Sequence, residues 1–339
     1  MIRLKLNGEF YEYFTNFSIS LKFNSIASDF NINAYFNPFN EAQKKLFKPL
    51  SGVDIKLYDD DALLFVGTIL NVKFSRKTTQ QLVTISGYSK TGILENCNIP
   101  LDLYPLESNN LSLYEIAKKL CKKFGIGVIV SSAVKTEANK IIEKTSAKAS
   151  ETIKEYLSRL CNERNIVLTH TATGSIVLTK ANTSQKASWV YDESDDKVLS
   201  INGSVQGQQM HSSVSVIRQA SIKTDNAGES KSSNIFVSQY KPLIKIQSSG
   251  TDNDTVNASV KAVLSELKNI KFTVEYDGFI HRPNTIIEIK EPFVYLYDKT
   301  RLFVESVTVK GDNRSMISSV EAVIPETYSG VLPSKNIFS

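Results

Sequence analysis

Leu302-Phe303-Val304-Glu305-Ser306-Val307-Thr308-Val309-Lys310 is the stretch that decides the fold, because the chain writes it a second time. Near the other end stands Leu64-Phe65-Val66-Gly67-Thr68-Ile69-Leu70-Asn71-Val72-Lys73. The earlier copy has one extra residue, a difference that a β-bulge can absorb. The surroundings match as well. Each copy follows an alternating strand with an Ile-Lys pair (Ile55-Lys56, Ile289-Lys290) and an Asp-bearing turn. Each is followed by a polar turn (75–81 and 311–315) and a further strand (82–86 and 320–324). The pattern predicts two similar β-domains in one chain, and a function that follows from having two.

Outward from the first copy, residues 1–97 read as β throughout. Phe17, Ile19, Leu21 and Phe23 alternate with Ser18, Ser20 and Lys22, and Phe30, Ile32, Ala34 and Phe36 alternate with asparagines and Tyr35. Val53, Ile55 and Leu57 do the same against Asp54 and Lys56. A period of two means one buried and one wet face, as in antiparallel sheets and small barrels. A short helix is expected over 40–47 after Pro38, with Leu46 and Phe47 plugging an open end. The run Asp59-Asp60-Asp61 lacks the spaced oxygen ligands and distal glutamate of a calcium loop, so it is taken as a solvated turn.

From 98 to 180 the period becomes helical. Ser112-Leu113-Tyr114-Glu115 forms a capping box, with Leu111 and Ile116 placed as a hydrophobic staple. Leu113, Ile116, Ala117, Leu120, Cys121 and Phe124 then share a face until Gly125 ends the helix, and a strand follows at 127–130. The arrangement recurs: Ser150 is the expected cap of a helix presenting Ile153, Tyr156, Leu157, Leu160 and Cys161, and strands at 166–169 and 176–179 follow. Beyond 181 the chain turns polar, with strands at 198–205 and 214–217. The stretch 223–234 has no apolar periodicity and reads as a mobile loop. A third helix at 254–268 shows Val256, Val260, Val263, Leu264 and Leu267 on one side, before the strands of the second β-domain between 271 and 324. The remaining tail carries Pro325 and Pro333 and no periodicity.

Bulk properties exclude several classes. Of 339 residues, 41% are hydrophobic and 22% charged, the make-up of an ordinary globular chain with two to four domains. No apolar run is long enough to cross a bilayer, and Ile2, Leu4 and Leu6 alternating with Arg3 and Lys5 is a strand rather than a signal peptide. No membrane insertion is expected, and cytosolic synthesis is the simple reading. Cys97, Cys121 and Cys161 make no disulfide framework or zinc motif, and the latter two sit inside apolar stripes. The net charge of +5 is dispersed, so sequence-specific nucleic-acid binding is not indicated. His170, His211 and His281 have no i, i+4 partner or neighbouring acid in sequence. There is no Gly-rich phosphate loop and no Gly-x-Ser-x-Gly elbow. Glu151 and Glu155 are a candidate acid pair, but on a polar helix face they read as solvated. No catalytic residue, metal site or cofactor is assigned, and no enzyme activity is expected.

Four places give the chain a resemblance to the baseplate hub proteins of Mu-like contractile-tailed phages, the tail hub or late control D-like family. The first is Ile85-Ser86-Gly87-Tyr88-Ser89-Lys90-Thr91-Gly92-Ile93-Leu94-Glu95-Asn96-Cys97, similar to the family's strand ending in Gly-Arg-Ser and the acidic segment after it. Here Tyr88 stands for the usual arginine. The second is the helix 112–124 running into Gly125-Ile126-Gly127-Val128. The third is the helix opened by Ser150-Glu151-Thr152, where the family has Gly-Glu-Thr. The fourth runs from Gln239-Tyr240-Lys241-Pro242-Leu243-Ile244 through Asp277-Gly278-Phe279, Arg282-Pro283-Asn284, Pro292 and 302–309 to Ile324-Pro325-Glu326-Thr327-Tyr328. The family usually carries a tryptophan near Phe279 and His281; here Trp189 is the only one.

The resemblance implies an α+β chain: two similar antiparallel β-barrel domains, a small α/β domain and a helical insertion. Its segments would be 1–97 (first barrel), 98–185 (α/β domain), 186–222 with 271–328 (second barrel), 223–270 (insertion) and 329–339 (tail). It further implies a homotrimer whose six barrels form a ring, adapting a sixfold tail tube to a threefold central spike at the virion's tail baseplate. Distal tail, wedge and tape measure proteins would be further partners. Edge strands would make the contacts between subunits, with Val307 and Val309 needed for the trimer and 224–234 dispensable. The alternatives are a tail-associated wall hydrolase, a carbohydrate-binding tail module and a type VI secretion spike. The first asks for a carboxylate pair in a cleft, the second for surface aromatic platforms, the third for a long continuing β-helix.

Overall fold

Period-two patterning yields the strands it predicts: β1 (Ile2–Leu6), β2 (Glu9–Tyr11), β3 (Phe14–Lys22), β4 (Asp29–Tyr35), β5 (Asp54–Asp59), β6 (Ala62–Arg76) and β7 (Gln81–Ser89). The structure is a computed structural model that describes residues 2–339 apart from 77, 79, 149, 219–227, 248–251, 280–281 and 313. Between β4 and β5 lies α1 (Glu41–Leu46), started by Asn40, whose side chain accepts from the Gln43 amide. Phe47 follows it and is buried against the rings of Tyr11 and Phe36, while Leu46 is only partly buried.

A helical unit follows, with α2 (Ile93–Asn96), β8 (Glu107–Ser112), α3 (Leu113–Lys122), β9 (Val128–Val130), α4 (Lys135–Asn139), β10 (Ile141–Ser146), α5 (Ile153–Glu163), β11 (Val167–His170) and β12 (Ile176–Thr179). The Ser112–Glu115 capping box forms as read, and Gly125 takes a φ of +63° just beyond α3. The second cap does not fall on Ser150. Thr152 is the N-cap, closing its own box with Glu155. Only Thr152 has a glutamate three residues on, where Ser150 has Ile153, and a cap at Thr152 places Ile153 at the first helical position, buried. β8 and β10 pair antiparallel across the intervening α3, β9 and α4, in stretches that show no apolar alternation.

The second half contains β13 (Ala187–Val190), β14 (Val198–Val205), β15 (Ser213–Arg218), β16 (Gly228–Ser233), β17 (Pro242–Gln247), α6 (Asp252–Glu266), β18 (Ile270–Asp277), β19 (Ile286–Glu291), β20 (Leu296–Asp312) and β21 (Met316–Val323). Thirteen strands form one sheet, in the order β14-β18-β21-β20-β3-β4-β7-β6-β5-β1-β2, with β19 and β13 branching from the first part of β20. The two halves repeat each other strand for strand: β3-β4-β7-β6-β5-β1 in one, β14-β18-β21-β20-β19-β13 in the other. They differ in that β1 runs antiparallel to β5 while β13 runs parallel to β19.

Register makes the equivalence specific. The β6–β7 ladder slips at Leu70 and the β20–β21 ladder at Glu305, so both long strands carry one bulge at the same place. Counting from the bulges, Val72 corresponds to Val307, Ile85 to Val320, Phe30 to Phe272 and Phe17 to Ile201. The extra residue of the earlier copy is therefore not what a bulge absorbs. On this register Phe65 falls with Thr300 rather than with Phe303. The duplication holds in topology, while the look-alike peptides are a few residues out of step.

The halves meet where β20 pairs with β3, Val307 opposite Leu21 and Val309 opposite Ile19, with both valines fully buried. One apolar cluster runs through both halves, from Ile19, Ile32 and Ile85 to Phe272, Val307 and Val320. At the bulge the Glu305 side chain turns inward and is 1% exposed. It accepts from Asn24 Nδ2 at 2.7 Å and from the Tyr328 hydroxyl, with Lys271 Nζ at 3.6 Å. Its carbonyl accepts from the Phe23 amide at 2.9 Å. Burial and then the Glu305 charge push the Tyr328 hydroxyl far up, so Tyr328 stays a donor.

Two sequence assignments are corrected in the insertion. The strand at 213–218, placed with the second barrel, pairs instead with β16 and β17 in a separate sheet. Within the supposed loop 223–234, residues 228–233 are β16, while 223–227 lie outside the described residues. The segment Gly-Glu-Ser-Lys-Ser-Ser has no apolar face to reveal. Its inward residues Ser230 and Ser232 bind Ser259 of α6 at 2.9 and 2.8 Å instead. α6 lays Ala262 and Val263 on Val214 of this sheet, and Val256, assigned to its buried face, is exposed.

The Glu305 cluster gives a direct test of what holds the halves together. Glu305→Ala removes the acceptor of the buried Tyr328 hydroxyl and of the Asn24 amide and is expected to cost about 3–5 kcal/mol. Glu305→Gln, which keeps an acceptor, is expected to cost less. Urea unfolding midpoints at fixed m-value measure both; equal, small losses would show that the buried carboxylate does not secure the joint.

Candidate assembly surfaces

The residues that could carry chemistry are placed structurally. His170, at the end of β11, bridges the helical unit to the loop after β3: Nδ1 lies 2.9 Å from the Ser25 carbonyl and Nε2 2.9 Å from Ser28 Oγ. A carbonyl only accepts, so Nδ1 carries the proton and Nε2 accepts from the Ser28 hydroxyl. Ser28 is buried, and among the described residues no acid completes the pair as a triad. His211 does have an acid neighbour, one that sequence spacing hid. Glu266 of α6 takes His211 Nδ1 at 2.7 Å and its backbone amide at 2.8 Å. Both carboxylate oxygens are used, and the pair fastens α6 to the start of β15. His281 lies outside the described residues.

Glu155 lies on an exposed face, as read, while Glu151 is half-buried. Glu155 Oε2 accepts from the Thr152 amide at 2.8 Å, and Glu151 holds Arg159 through two contacts of 3.1 Å. Cys121 and Cys161 are buried in the helical core, which pushes both thiols up to about 12, away from thiolate chemistry. Asp61 pairs with Arg3 at 3.0 Å in the β5–β6 turn. Among the described residues no group of three or more His, Cys, Asp or Glu is arranged to hold a metal, and no helix is long and apolar enough to cross a membrane. Trp189 is a core neighbour, 5.9 Å from the Tyr191 ring. Two open clefts of about 630 and 700 Å³ flank the C-terminal tail, and no His or Cys lines either.

What the sheet leaves open is backbone. β6 pairs with β7 over its whole second half, but β5 leaves it after the Ile69–Val53 contact. Among the described residues, 71–76 therefore have a free edge. So does β14, on the side away from β18. Val205 is 55% exposed and Phe74 45% exposed on these edges. β17 is also an edge strand, with Ile244 and Ile246 exposed. Val307 and Val309, expected at an inter-subunit contact, sit in the middle of the sheet with ladders on both sides. A charge there would strike the chain's own core. Edges cannot be seen in a sequence, because alternation is the same for a central and an edge strand.

The helical unit and the tail are fixed to this sheet. Val66 donates to the Ala172 carbonyl at 2.9 Å and Lys90 Nζ to the Gly125 carbonyl at 2.7 Å. The tail runs across three parts of the fold. Ala181 donates to the Tyr328 carbonyl at 2.8 Å, Asn165 Nδ2 to that of Gly330 at 3.0 Å, and Phe338 packs on Phe236.

Residues 91–180 match the family model for the second domain of gp44-like baseplate hub proteins. Over 326 residues, 91% of this chain and 83% of the relative, the sequence is 22% identical to baseplate hub protein gp44 of Escherichia phage Mu. The 43 kDa tail protein of prophage MuSo2 from Shewanella oneidensis shares the fold, with a TM-score of 0.78 at 20% identity, covering 98% of this chain and 99% of that one. So does an E. coli protein described as a component of the type VI secretion system with similarity to T4 tail proteins gp27 and gp5. Its TM-score is 0.62 at 10% identity, covering 98% of this chain and 79% of that one. The chain is thus similar in sequence to the Mu baseplate hub protein, the resemblance that its motifs carry, and it shares its fold with tail proteins of phages and with a type VI component.

His170 yields a pH prediction. Burial holds its imidazole below the ordinary value of 6.5, against the opposing pull of the Ser25 carbonyl and Glu95. The unfolded chain therefore takes up a proton near pH 6.5 that the folded chain refuses. The stability present above that pH is lost as pH falls below it. Urea midpoints at about pH 7.5 and 5.5 should fall for wild type and fall less for His170→Gln; parallel losses would clear His170 of the effect.

Proposed function

We propose that this chain is the central hub of a contractile-tail baseplate, in a phage virion or a tail-like particle. The observation that carries the reading is the duplicated sheet. One chain holds two units of the same strand order, so three chains present six similar units while keeping threefold symmetry. An assembly of that kind meets a sixfold tube on one side and a threefold spike on the other by closed, heterologous contacts. In this reading each half of the sheet is a barrel-like ring domain, and residues 98–185 and the α6 insertion lie at the periphery or towards the spike. Wedge, tube, distal tail and tape measure proteins are the remaining partners. The name of the Mu relative and the 91–180 match support the reading.

Two measurements test it. Light scattering at micromolar concentration is expected to give about three times the chain mass; a strict monomer even beside its cognate spike protein would sink the ring. The hub is also expected to act without catalysis, so purified protein incubated with peptidoglycan should release no soluble fragments. Turnover that disappears with a single carboxylate substitution would make it an enzyme of the tail instead.

A further inference from the structure

The cleft of about 630 Å³ beside the C-terminal tail lies at the carboxyl ends of two strands. β9 and β12 run parallel with Val130 opposite Leu178, so both stop at one level, and Ser131 and Lys180 are the residues that follow them. The Ser131 amide ties the two ends together by donating to the Leu178 carbonyl at 3.0 Å. Ligands of α/β sheets sit in the crevice beyond the carboxyl ends of the strands, where loops diverge and leave a concave space. Here the second half of the sheet and the tail complete the wall through Asn284, Glu326, Val331 and Leu332. A ring of hubs needs no such cleft.

The polar groups of the cleft are those of an anion site. Lys180 is half-buried, and its ammonium meets no carboxylate and no hydrogen-bond acceptor among the described residues. It is nevertheless held in place. A Cβ at Gly330 would fall 3.0 Å from Lys180 Nζ and 2.7 Å from Asn165 Nδ2, and the buried Asn165 donates to the Gly330 carbonyl at 3.0 Å. Gly330 takes a φ of +84°, which with that close approach leaves room for no larger residue. A second cation adds to the field. Lys261 of α6 also lacks an acidic partner among the described residues, and burial, then the charges of Lys268 and Lys180, hold its ammonium down at about 8. Half-buried ammonium groups that repel each other are stabilised by an anion that joins them. Ser131 lines the cleft with its hydroxyl turned into the wall, buried and unbonded, and a change of rotamer gives it a partner. The hydroxyls of Ser132, Thr183 and Ser334 are also uncommitted among the described residues. Among the described residues Glu326 is the one carboxylate on the lining; it accepts from hydroxyls and repels an oxyanion. We propose that this cleft binds a small acidic sugar, its carboxylate or phosphate on Lys180 and its hydroxyls on Glu326 and the free serine and threonine groups.

Calorimetric titration of the full-length protein at low ionic strength tests this, with glucuronate and glucose 6-phosphate as probes and glucose and inorganic phosphate beside them. At least one acidic sugar is expected to bind with a Kd of about 1 mM or tighter, which names the carboxylate or the phosphate as the group on Lys180, while glucose gives no heat. Lys180→Gln should weaken that binding about tenfold or more, and Lys180→Arg should restore part of it. Glu326→Gln should weaken the acidic sugar while leaving inorganic phosphate no weaker. Should Lys180→Gln lower the urea midpoint, Glu326→Gln carries the test by itself. Lys299→Ala, in the neighbouring cleft, should change nothing, which separates a site from a general loss of positive charge. No heat from either acidic sugar up to about 10 mM, or unchanged affinity in a folded Lys180→Gln, overturns the site. Inorganic phosphate binding as tightly as glucose 6-phosphate overturns the sugar and leaves an adventitious ion only.

Discussion

From Ser306 and Lys22 to Asp312 and Asn16, two distant parts of the chain share one antiparallel ladder, and each strand is hydrogen-bonded on both sides. Bringing those strands together closes a loop of nearly the whole chain. Loop-closure entropy grows only logarithmically with length, so this costs little more than joining strands half as far apart. What offsets it is apolar burial in the pairs Val307–Leu21 and Val309–Ile19, which lie in the one cluster that runs through both halves. The α/β unit and the insertion then have a single rigid body to dock on. His170, Lys90 and Val66 fasten the first of them to the β3–β7 half, and the tail fastens both to the other.

The paired bulges show how one device serves two ends. At each, an extra residue leaves the ladder and the strand turns. At Glu305 the space around it is filled by Asn24, Tyr328 and the lysines following α6, so a carboxylate can be buried with its hydrogen bonds met. At Leu70 the same geometry carries an apolar side chain that the single chain leaves partly exposed. Interchanging the two would fail in both places. A leucine at 305 would orphan the donors gathered there, and a glutamate at 70 would resist coverage by an apolar partner.

Sequence patterning exposed most of the architecture for a physical reason. Strands with one buried face announce themselves by alternation, as at 17–23 and 302–309, and helices with caps do so by spacing, as at 112–124. Thr152 rather than Ser150 is the cap because Glu155 stands three residues after it while Ile153 stands three after Ser150, a spacing that was present in the letters. β16 was missed because serines bind it to α6, leaving no apolar signature. The His211–Glu266 pair joins residues with no local spacing at all. The duplicated motif pointed to a real repeat through the wrong alignment: alternation repeats every second residue, so many offsets look alike, and the bulges that fix the register are invisible in the letters.

A strand edge that carries apolar side chains is a hazard for any protein that must stay alone, and chains that stay alone blunt such edges. Here the blunting is partial. Lys73 and Ser75 make the outward side of β6 polar, Arg76 puts a charge at its end, and Gly203 and Asn202 weaken β14 as a template for arbitrary strands. Yet Phe74, Val72 and Val205 keep the inward side apolar. That division suits an edge that must refuse most strands and accept one. Polar residues on the outer face discourage stacking of sheets, while the exposed Phe74 and Val205 leave apolar area on the inner one. In the internal joint the same selectivity is unnecessary, since covalent connection already chooses the partner, and there both facing residues, Val309 and Ile19, are of ordinary size.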